Sequence, residues 1–314
     1  MKFFVIGMLV FQYGFSMLSD LESEASRYVG ELGDKWLFPS DHLPVGASVG
    51  PLSVTSWNIL NTKFLHHIAS NDQGLLNSSI IGYDIPFGDE SSLTFRENNV
   101  VMNIISMVVD DIHFPRNVVA IQECNNSVLD ALRKRFPDNI DISTPFDGGL
   151  RDDNGEAIIY NSSLFEYIGS NTYVYQAKRG NSIFDVTLRE RKSGDIYRII
   201  NSHVPGGPYS IKALDEFGDY LISNYDDKHV MIVMGDLNAS YSAIAKVLSV
   251  KGIDQQYRYV ESGYPSHIDT RRNAVTFDHI FVSVGKNSNI TYKSKDAYEV
   301  LHGLGGIVDL LKKS

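Results

Sequence analysis

The sequence predicts an α/β protein whose core is one β-sheet packed on another, flanked by helices, in a single domain. Three observations predict it. Short apolar segments rich in β-branched and aromatic residues recur from residue 53 to residue 283, most of them bounded by Gly, Asp, Asn or Pro. Helical spacings lie between several of these segments. The chain has 314 residues and no repeat, low-complexity tract or long linker to divide it, and large α/β domains reach this size.

Taken in order, Lys2 precedes an apolar run over residues 3–11, and the small residues Gly14 and Ser16 follow. Residues 1–16 therefore resemble a secretory signal peptide, and a secreted or extracytoplasmic protein is expected. The alternative is a buried element of a cytoplasmic one. The run is too short for a membrane span. Residues 17–314 form the expected domain. It opens on a polar, acidic stretch with Leu18, Leu21 and Ala25 at helical spacing. Strands are expected over 53–59, 118–122, 157–160, 183–188, 197–202, 230–234 and 277–283. Helices are expected over 98–110, 127–136, 211–225, 243–250 and 298–312. The polar stretch 71–94 reads as a long loop, either a substrate wall or a surface insertion.

The net charge of −10 disfavours a broad, sequence-blind nucleic-acid groove, because an acidic surface repels phosphate backbones at long range. A small or short phosphate ester is compatible with it. The single cysteine, Cys124, excludes an internal disulfide framework and a cysteine-rich zinc site. It follows Glu123 in an apolar run and reads as a core residue.

Chemistry-bearing residues gather at the expected strand ends: Asn58, Gln122-Glu123, His203, Asp236-Leu237-Asn238 and Asp278. Loops at strand ends are where layered folds assemble sites from distant parts of the chain. Carboxylate, amide and imidazole groups converging there suit a hard, oxygen-seeking cation such as Mg²⁺, with Mn²⁺ as a substitute. Hydrolysis of a phosphate ester needs charge neutralisation on the phosphoryl oxygens, a positioned water, and relief of charge on the leaving oxygen. This set can supply all three.

The segments Ser-Trp-Asn58-Ile-Leu, Ile-Gln-Glu123, Ser-His203-Val-Pro, Gly-Asp236-Leu-Asn238-Ala and Phe-Asp278-His-Ile-Phe-Val-Ser resemble the ordered motifs of the endonuclease/exonuclease/phosphatase superfamily. That superfamily includes DNase I-like nucleases, CCR4-type deadenylases, inositol polyphosphate phosphatases and sphingomyelinases. The resemblance covers roughly residues 36–285. It implies a four-layer α/β sandwich with two packed mixed β-sheets. It also implies that Glu123 is the principal metal ligand, helped by Asn58, and that Asp236 orients or deprotonates the attacking water. Asn238 and His203 would contact the phosphoryl oxygens. Arg96 sits where CCR4-like members carry an arginine after a long loop, so a substrate contact or a structural ion pair is expected there.

The superfamily also needs a terminal Ser-Asp-His motif. Its His stabilises the transition state, its Asp can bind metal, and a partner, here Asp278, orients the imidazole. After Asp278 the chain offers only His279 and His302, neither of them in such a motif. His279 neighbours Asp278 on a strand and would point to the opposite face. The motif stands instead at Ser40-Asp41-His42-Leu43-Pro44-Val45, in a strand expected over 36–46. This reads as a circular permutation, in which residues 46–51 join the usual last strand to the usual first through a short connection. The decisive quantity is the distance from His42 to Asp278.

His66-His67 and Arg271-Arg272 read as surface pairs, Tyr160 as a core tyrosine, and Asp147-Gly148-Gly149 and Asp152-Asp153-Asn154-Gly155 as turns. The sequence thus predicts a monomeric, Mg²⁺-dependent phosphodiesterase acting by in-line water attack, most of all a nuclease or phosphodiesterase of short substrates. A secreted sphingomyelinase, an inositol-phosphate phosphatase and a silent binding module are the alternatives.

Overall fold

The structure is a computed structural model that describes residues 40, 42–64, 90–109, 117–146, 150, 153–178, 180–262, 266–268, 274–283 and 291–294. The N-terminal segment, the helix expected over 298–312, Asp41, His66-His67, Asp147-Gly148-Gly149, Asp152, Arg271-Arg272 and His302 lie outside the described residues. Among the described residues, no helix is long and apolar enough to cross a membrane.

The first sheet contains β1 (Val45–Val49), β2 (Leu52–Asn58), β3 (Asn117–Cys124), β4 (Ile140–Ser143), β5 (Gly155–Asn161) and β14 (Tyr292–Ser294), in the order β14-β1-β2-β3-β5-β4. The second contains β6 (Phe165–Val174), β7 (Ser182–Glu190), β8 (Ile196–Ser202), β9 (Val230–Asp236), β10 (Tyr257–Val260) and β13 (Asp278–Ser283), in the order β10-β13-β9-β8-β7-β6. Both sheets are mixed: β2 runs parallel to β3 and β8 parallel to β9, while the other pairs are antiparallel. A small hairpin, β11 (His267–Ile268) and β12 (Ala274–Val275), stands apart.

Side-chain alternation explains the layers. In β3, Val118 and Ala120 face the second sheet, and Val119 and Ile121 face the outer helices α1 (Glu90–Val109) and α2 (Asn126–Arg135). In β9, Ile232 and Met234 face the first sheet, and Met231 and Val233 face α3 (Ser210–Ser223) and α4 (Tyr241–Val250). Strands buried on both faces read as continuous apolar runs, as these do. The result is four layers, helix-sheet-sheet-helix, as expected.

Several expectations need correction. Residues 46–49 are not a linker but the body of β1: Val45, Ala47 and Val49 alternate into the inter-sheet core, and only the Gly50-Pro51 turn joins β1 to β2. Gly50 turns with a φ of 56°, a conformation that glycine adopts freely. The strand expected over 36–46 accordingly begins at Val45, preceded by a single bridge at His42. The helix expected from residue 98 starts at Glu90, inside the stretch read as a loop. β6 was not anticipated. Its middle positions are largely exposed and mix Tyr167 and Ile168 with Gly169, Ser170 and Asn171, as an edge strand allows, so it lacks the apolar run that marks β3 and β9.

Candidate active site

Parallel pairing within each sheet brings the sequence motifs to one end of the sandwich. Asn58 pairs with Gln122 where β2 and β3 finish, Asn201 pairs with Met234 in β8 and β9, and Asp236 ends β9 opposite Asp278 at the start of β13. β1 is antiparallel to β2, so the residues just before it, including His42, arrive at the same end.

Two of these residues sit on strand-to-helix turns. Asn125 caps α2, its side chain accepting a 2.8 Å hydrogen bond from the Val128 amide, and Ser240 caps α4 through the Ala243 amide. Glu123 and Asn238, just ahead of these caps, have φ values of 56° and 47°, and Leu60, just past β2, has 55°. Non-glycine residues in this region cost of order 1 kcal/mol each and persist where the surroundings over-determine them. Gly235, beside Asp236, has φ 147°, and a β-carbon there would stand 1.9 Å from the Ser202 carbonyl oxygen. The close approach of β8 to β9 at the site therefore requires glycine.

The side chains converge. Asn58 donates through Nδ2 to Glu123 Oε1 at 3.1 Å and to Asp236 Oδ2 at 3.0 Å, crossing from one sheet to the other. His203 Nε2 lies 3.6 Å from each of those two oxygens. Asn238 donates from its amide side chain to Val204 O at 2.9 Å and to Asp236 Oδ2 at 3.3 Å. His42 Nδ1 and Asp278 Oδ2 are hydrogen-bonded at 2.8 Å, and His42 Nε2 turns towards Asp236 Oδ2, 3.7 Å away. Burial would raise the Asp278 carboxyl, but the His42 charge and hydrogen bond, with the Ser266 hydroxyl, outweigh it and hold the group below the usual carboxylate range. The main chain of His42 is pinned by the Trp57 indole N–H, which donates to its carbonyl at 2.9 Å, and Leu43 N donates to Ser266 O at 2.7 Å.

The floor beneath the site is polar and tied across the sheets. Gln122 donates to Ser56 and Asn201, and Asn201 donates to the carbonyls of Ile121 and Ala157. Glu156 is fully buried; burial pushes its carboxyl up, and Ser182 supplies its hydrogen bonds. Most of these buried polar groups are paired, which makes their burial tolerable, while Gln122 Oε1 has no hydrogen-bond partner among the described residues.

His42, His203, Asn58, Glu123, Asp236, Asn238 and Asp278 are thus brought together. Arg96 is not presented to the same space. It is 3% exposed, and its guanidinium donates to the carbonyls of Ile59, at 2.6 Å, and Leu60, and to Thr62 Oγ1 at 3.3 Å. The neighbouring amides of Leu60 and Asn61 in turn donate to Asn58 Oδ1 at 2.9 Å and Glu123 Oε2 at 3.1 Å. His279 faces away from His42, as expected for adjacent strand residues, and hydrogen-bonds the Ala239 carbonyl at 2.8 Å through Nε2. Cys124 and Tyr160 are core residues. Sequence inspection gave no sign of His267, which lies against His42 with ring centroids 4.3 Å apart. A lone histidine outside any motif carries no signal of its neighbours.

The donor set fits a divalent cation. Two carboxylates, Glu123 and Asp236, share a single amide donor and are flanked by imidazole edges, and one oxygen of Asp278 is buried without a hydrogen-bond partner. His42, Asp236 and Asp278 each offer a ligand atom within 4.8 Å of the others. Hard oxygen donors clustered in this way suit Mg²⁺ or Mn²⁺.

No family model matches the sequence, and no curated protein matches it. Solved structures do resemble it. TDP2 of D. rerio, complexed with single strand DNA product, superposes with a TM-score of 0.51 at 16% identity, over 77% of this chain and 86% of that one. ANGEL2, a 2',3'-cyclic phosphatase, superposes with 0.51 at 14%, over 78% and 84%. The Bacteroides thetaiotaomicron mannosyl-6-phosphatase Bt3783 superposes with 0.50 at 15%, over 79% and 96%. The fold this chain adopts is the DNase I-like α/β sandwich, with two packed mixed sheets between helical layers.

Proposed function

We propose that the chain is a metal-dependent phosphoester hydrolase whose site is built from Glu123, Asp236, Asn238, His203 and the His42–Asp278 pair. The observation that carries this reading is the convergence on Asp236 Oδ2 of His42 Nε2 at 3.7 Å, His203 Nε2 at 3.6 Å and the Asn58 amide at 3.0 Å, from four separate stretches of chain. Glu123 and Asn58 would hold a divalent cation such as Mg²⁺, which would neutralise charge on the phosphoryl oxygens; Asp41, the further ligand that the sequence motif implies, lies outside the described residues. Asp236 orients the attacking water and accepts its proton. The Asn238 amide and His203 contact the phosphoryl oxygens. His42, held by Asp278 through Nδ1, presents Nε2 to the charge that develops in the transition state, as a preorganised donor does. Of the two roles expected for Arg96, its hydrogen bonds to the Ile59–Thr62 turn favour the structural one, keeping Asn58 and Glu123 in place.

The placement of the His42 motif before β1, with β1 and β2 joined by one tight turn, supports the circular permutation. The substrate we favour is a short phosphodiester of nucleic-acid type: net charge −10 disfavours a long polyanion, and one structural neighbour holds a single strand DNA product. Hydrolysis assays over short RNA, short DNA, sphingomyelin and inositol phosphates, each with Mg²⁺ and with a chelator, test both statements. Mg²⁺-dependent cleavage of the oligonucleotides above the other esters is expected. Preference for sphingomyelin or inositol phosphates moves the substrate, and the absence of metal-dependent hydrolysis across the panel contradicts the enzyme reading.

A further inference from the structure

We propose that Glu97 is a positioning residue for the Asn58–Glu123 pair. It is a carboxylate outside the site that ties together the two turns on which those side chains depend, and so sets the affinity of the site for a divalent cation. The proposal rests on the metal-dependent hydrolase reading for its consequence and on the hydrogen bonds around Glu97 for its substance.

Asn58 and Glu123 come from neighbouring parallel strands, and each belongs to a stretch of strained main chain. Glu123 itself has φ 56°, and Leu60, two residues past Asn58, has φ 55°. Such backbone persists where its surroundings over-determine it. The turn after β2 also reaches the site directly. Leu60 N donates to Asn58 Oδ1 at 2.9 Å, and Asn61 N donates to Glu123 Oε2 at 3.1 Å. A shift of this turn therefore moves both side chains that would hold the cation.

Glu97 stands on α1, in the outer helical layer, and is half-buried. Its carboxylate takes three donors from the two turns. Oε1 accepts from Thr62 Oγ1 at 2.7 Å and from Asn125 Nδ2 at 2.9 Å, and Oε2 accepts from Ser127 Oγ at 2.8 Å. Asn125 Oδ1 is committed to the Val128 amide as the cap of α2, so its amide nitrogen is the end that meets Glu97. One carboxylate thus joins the turn after Asn58 to the cap that follows Glu123. Asp153 braces the same turns, its carbonyl accepting from Asn61 Nδ2 at 2.8 Å and its Oδ1 from Asn126 N at 2.6 Å. With Glu97 truncated the turns keep this second brace, so they loosen rather than melt. What the arrangement uses is a pair of hydrogen-bonding ends; it makes no use of the charge. A glutamine keeps one oxygen for Thr62 and Asn125 and turns its NH₂ to Ser127 Oγ, whose hydrogen goes to Asn125 Oδ1 at 2.9 Å.

The test is calorimetric titration of Mn²⁺ alone into the full chain, wild type against E97A, E97Q and T62V, with amide hydrogen exchange at Leu60 and Asn61 recorded in each. Loss of a residue that orients metal ligands costs about 10–100-fold in metal affinity, so E97A is expected to raise the Kd for Mn²⁺ about tenfold or more, and E97Q to stay within about threefold of wild type. T62V removes only the link to the turn after β2. It should raise Kd by about threefold or more, and it decides the matter if E97A does not fold. Unchanged Kd in E97A, or in T62V where E97A does not fold, overturns the proposal. So does an equal loss in E97Q, which marks a need for the charge itself. If wild type binds no Mn²⁺, the metal-dependent reading fails and the exchange rates still decide. Faster exchange at Leu60 and Asn61 in E97A, restored in E97Q, supports the tie; rates unmoved by E97A overturn it.

Discussion

Arg96 and His279 show what a residue's identity leaves open. Both stand in motif-like surroundings, and both turn out to hold the chain around the site. Arg96 spreads its fork over one turn, Nη2 donating to the carbonyls of Ile59 and Leu60 and Nη1 to Thr62 Oγ1. Lysine cannot reproduce a planar fork, and unsatisfied buried carbonyls cost about 1–3 kcal/mol. Arg96→Lys should therefore lower Tm and kcat together; a rise in KM at unchanged Tm would restore the substrate-contact role. His279 is buried against Ala239, and its Nδ1 has no hydrogen-bond partner among the described residues. Burial pushes its pKa below the ordinary 6.5. Above that value the ring is neutral in both the folded and unfolded chain, and pH has no effect through it. Below it the unfolded chain takes up a proton that the folded chain refuses, so stability falls with acid until the folded pKa is reached. The urea midpoint of the wild type should drop between about pH 7 and pH 5, and that of His279→Asn should drop less. Equal slopes would show that His279 is not the titrating group. Identity and alternation were enough to foresee that His279 faces away from His42. The direction of the Arg96 fork and the stack of His267 were not legible, because both depend on contacts made across the fold.

At the scale of elements, the strands that carry the site were readable because they are buried on both faces: β3 and β9 appear as Val-Val-Ala-Ile and Met-Ile-Val-Met. β6 and β10 were not, since edge strands with half-exposed positions keep no continuous apolar run. Between strands, the loop after β8 packs its backbone directly on Asn238. A β-carbon at Gly206 would stand 2.9 Å from Asn238 Oδ1 and 3.1 Å from its Cγ. The amide is already committed to Val204 O and Asp236 Oδ2, so it can yield only by leaving them. Gly206→Ala should lower kcat about tenfold through this displacement while Tm changes little. Unchanged kcat would show that the loop accommodates the methyl group without moving Asn238.

At the scale of the whole molecule, the sandwich gathers its site from both ends of the described chain. The His42 motif precedes β1 in sequence yet closes on Asp278, 236 residues later, at 2.8 Å. Local patterns could place each motif at a strand end, and the order of motifs pointed to His42 as the partner of Asp278. The grip of the β11–β12 hairpin on that pair is a product of tertiary packing alone. Positioned general acids, bases and donors contribute typically 10²–10⁴-fold each, so a site assembled in this way should depend on His42 as strongly as on Glu123. The measurement is Mg²⁺-dependent hydrolysis of bis-p-nitrophenyl phosphate by wild type, Glu123→Ala, His42→Ala and His279→Ala. Hydrolysis by the wild type, lost by at least about 100-fold in the first two variants and largely kept in the third, is the expected result. An active wild type whose rate is indifferent to His42→Ala, or no metal-dependent hydrolysis at all, would contradict it.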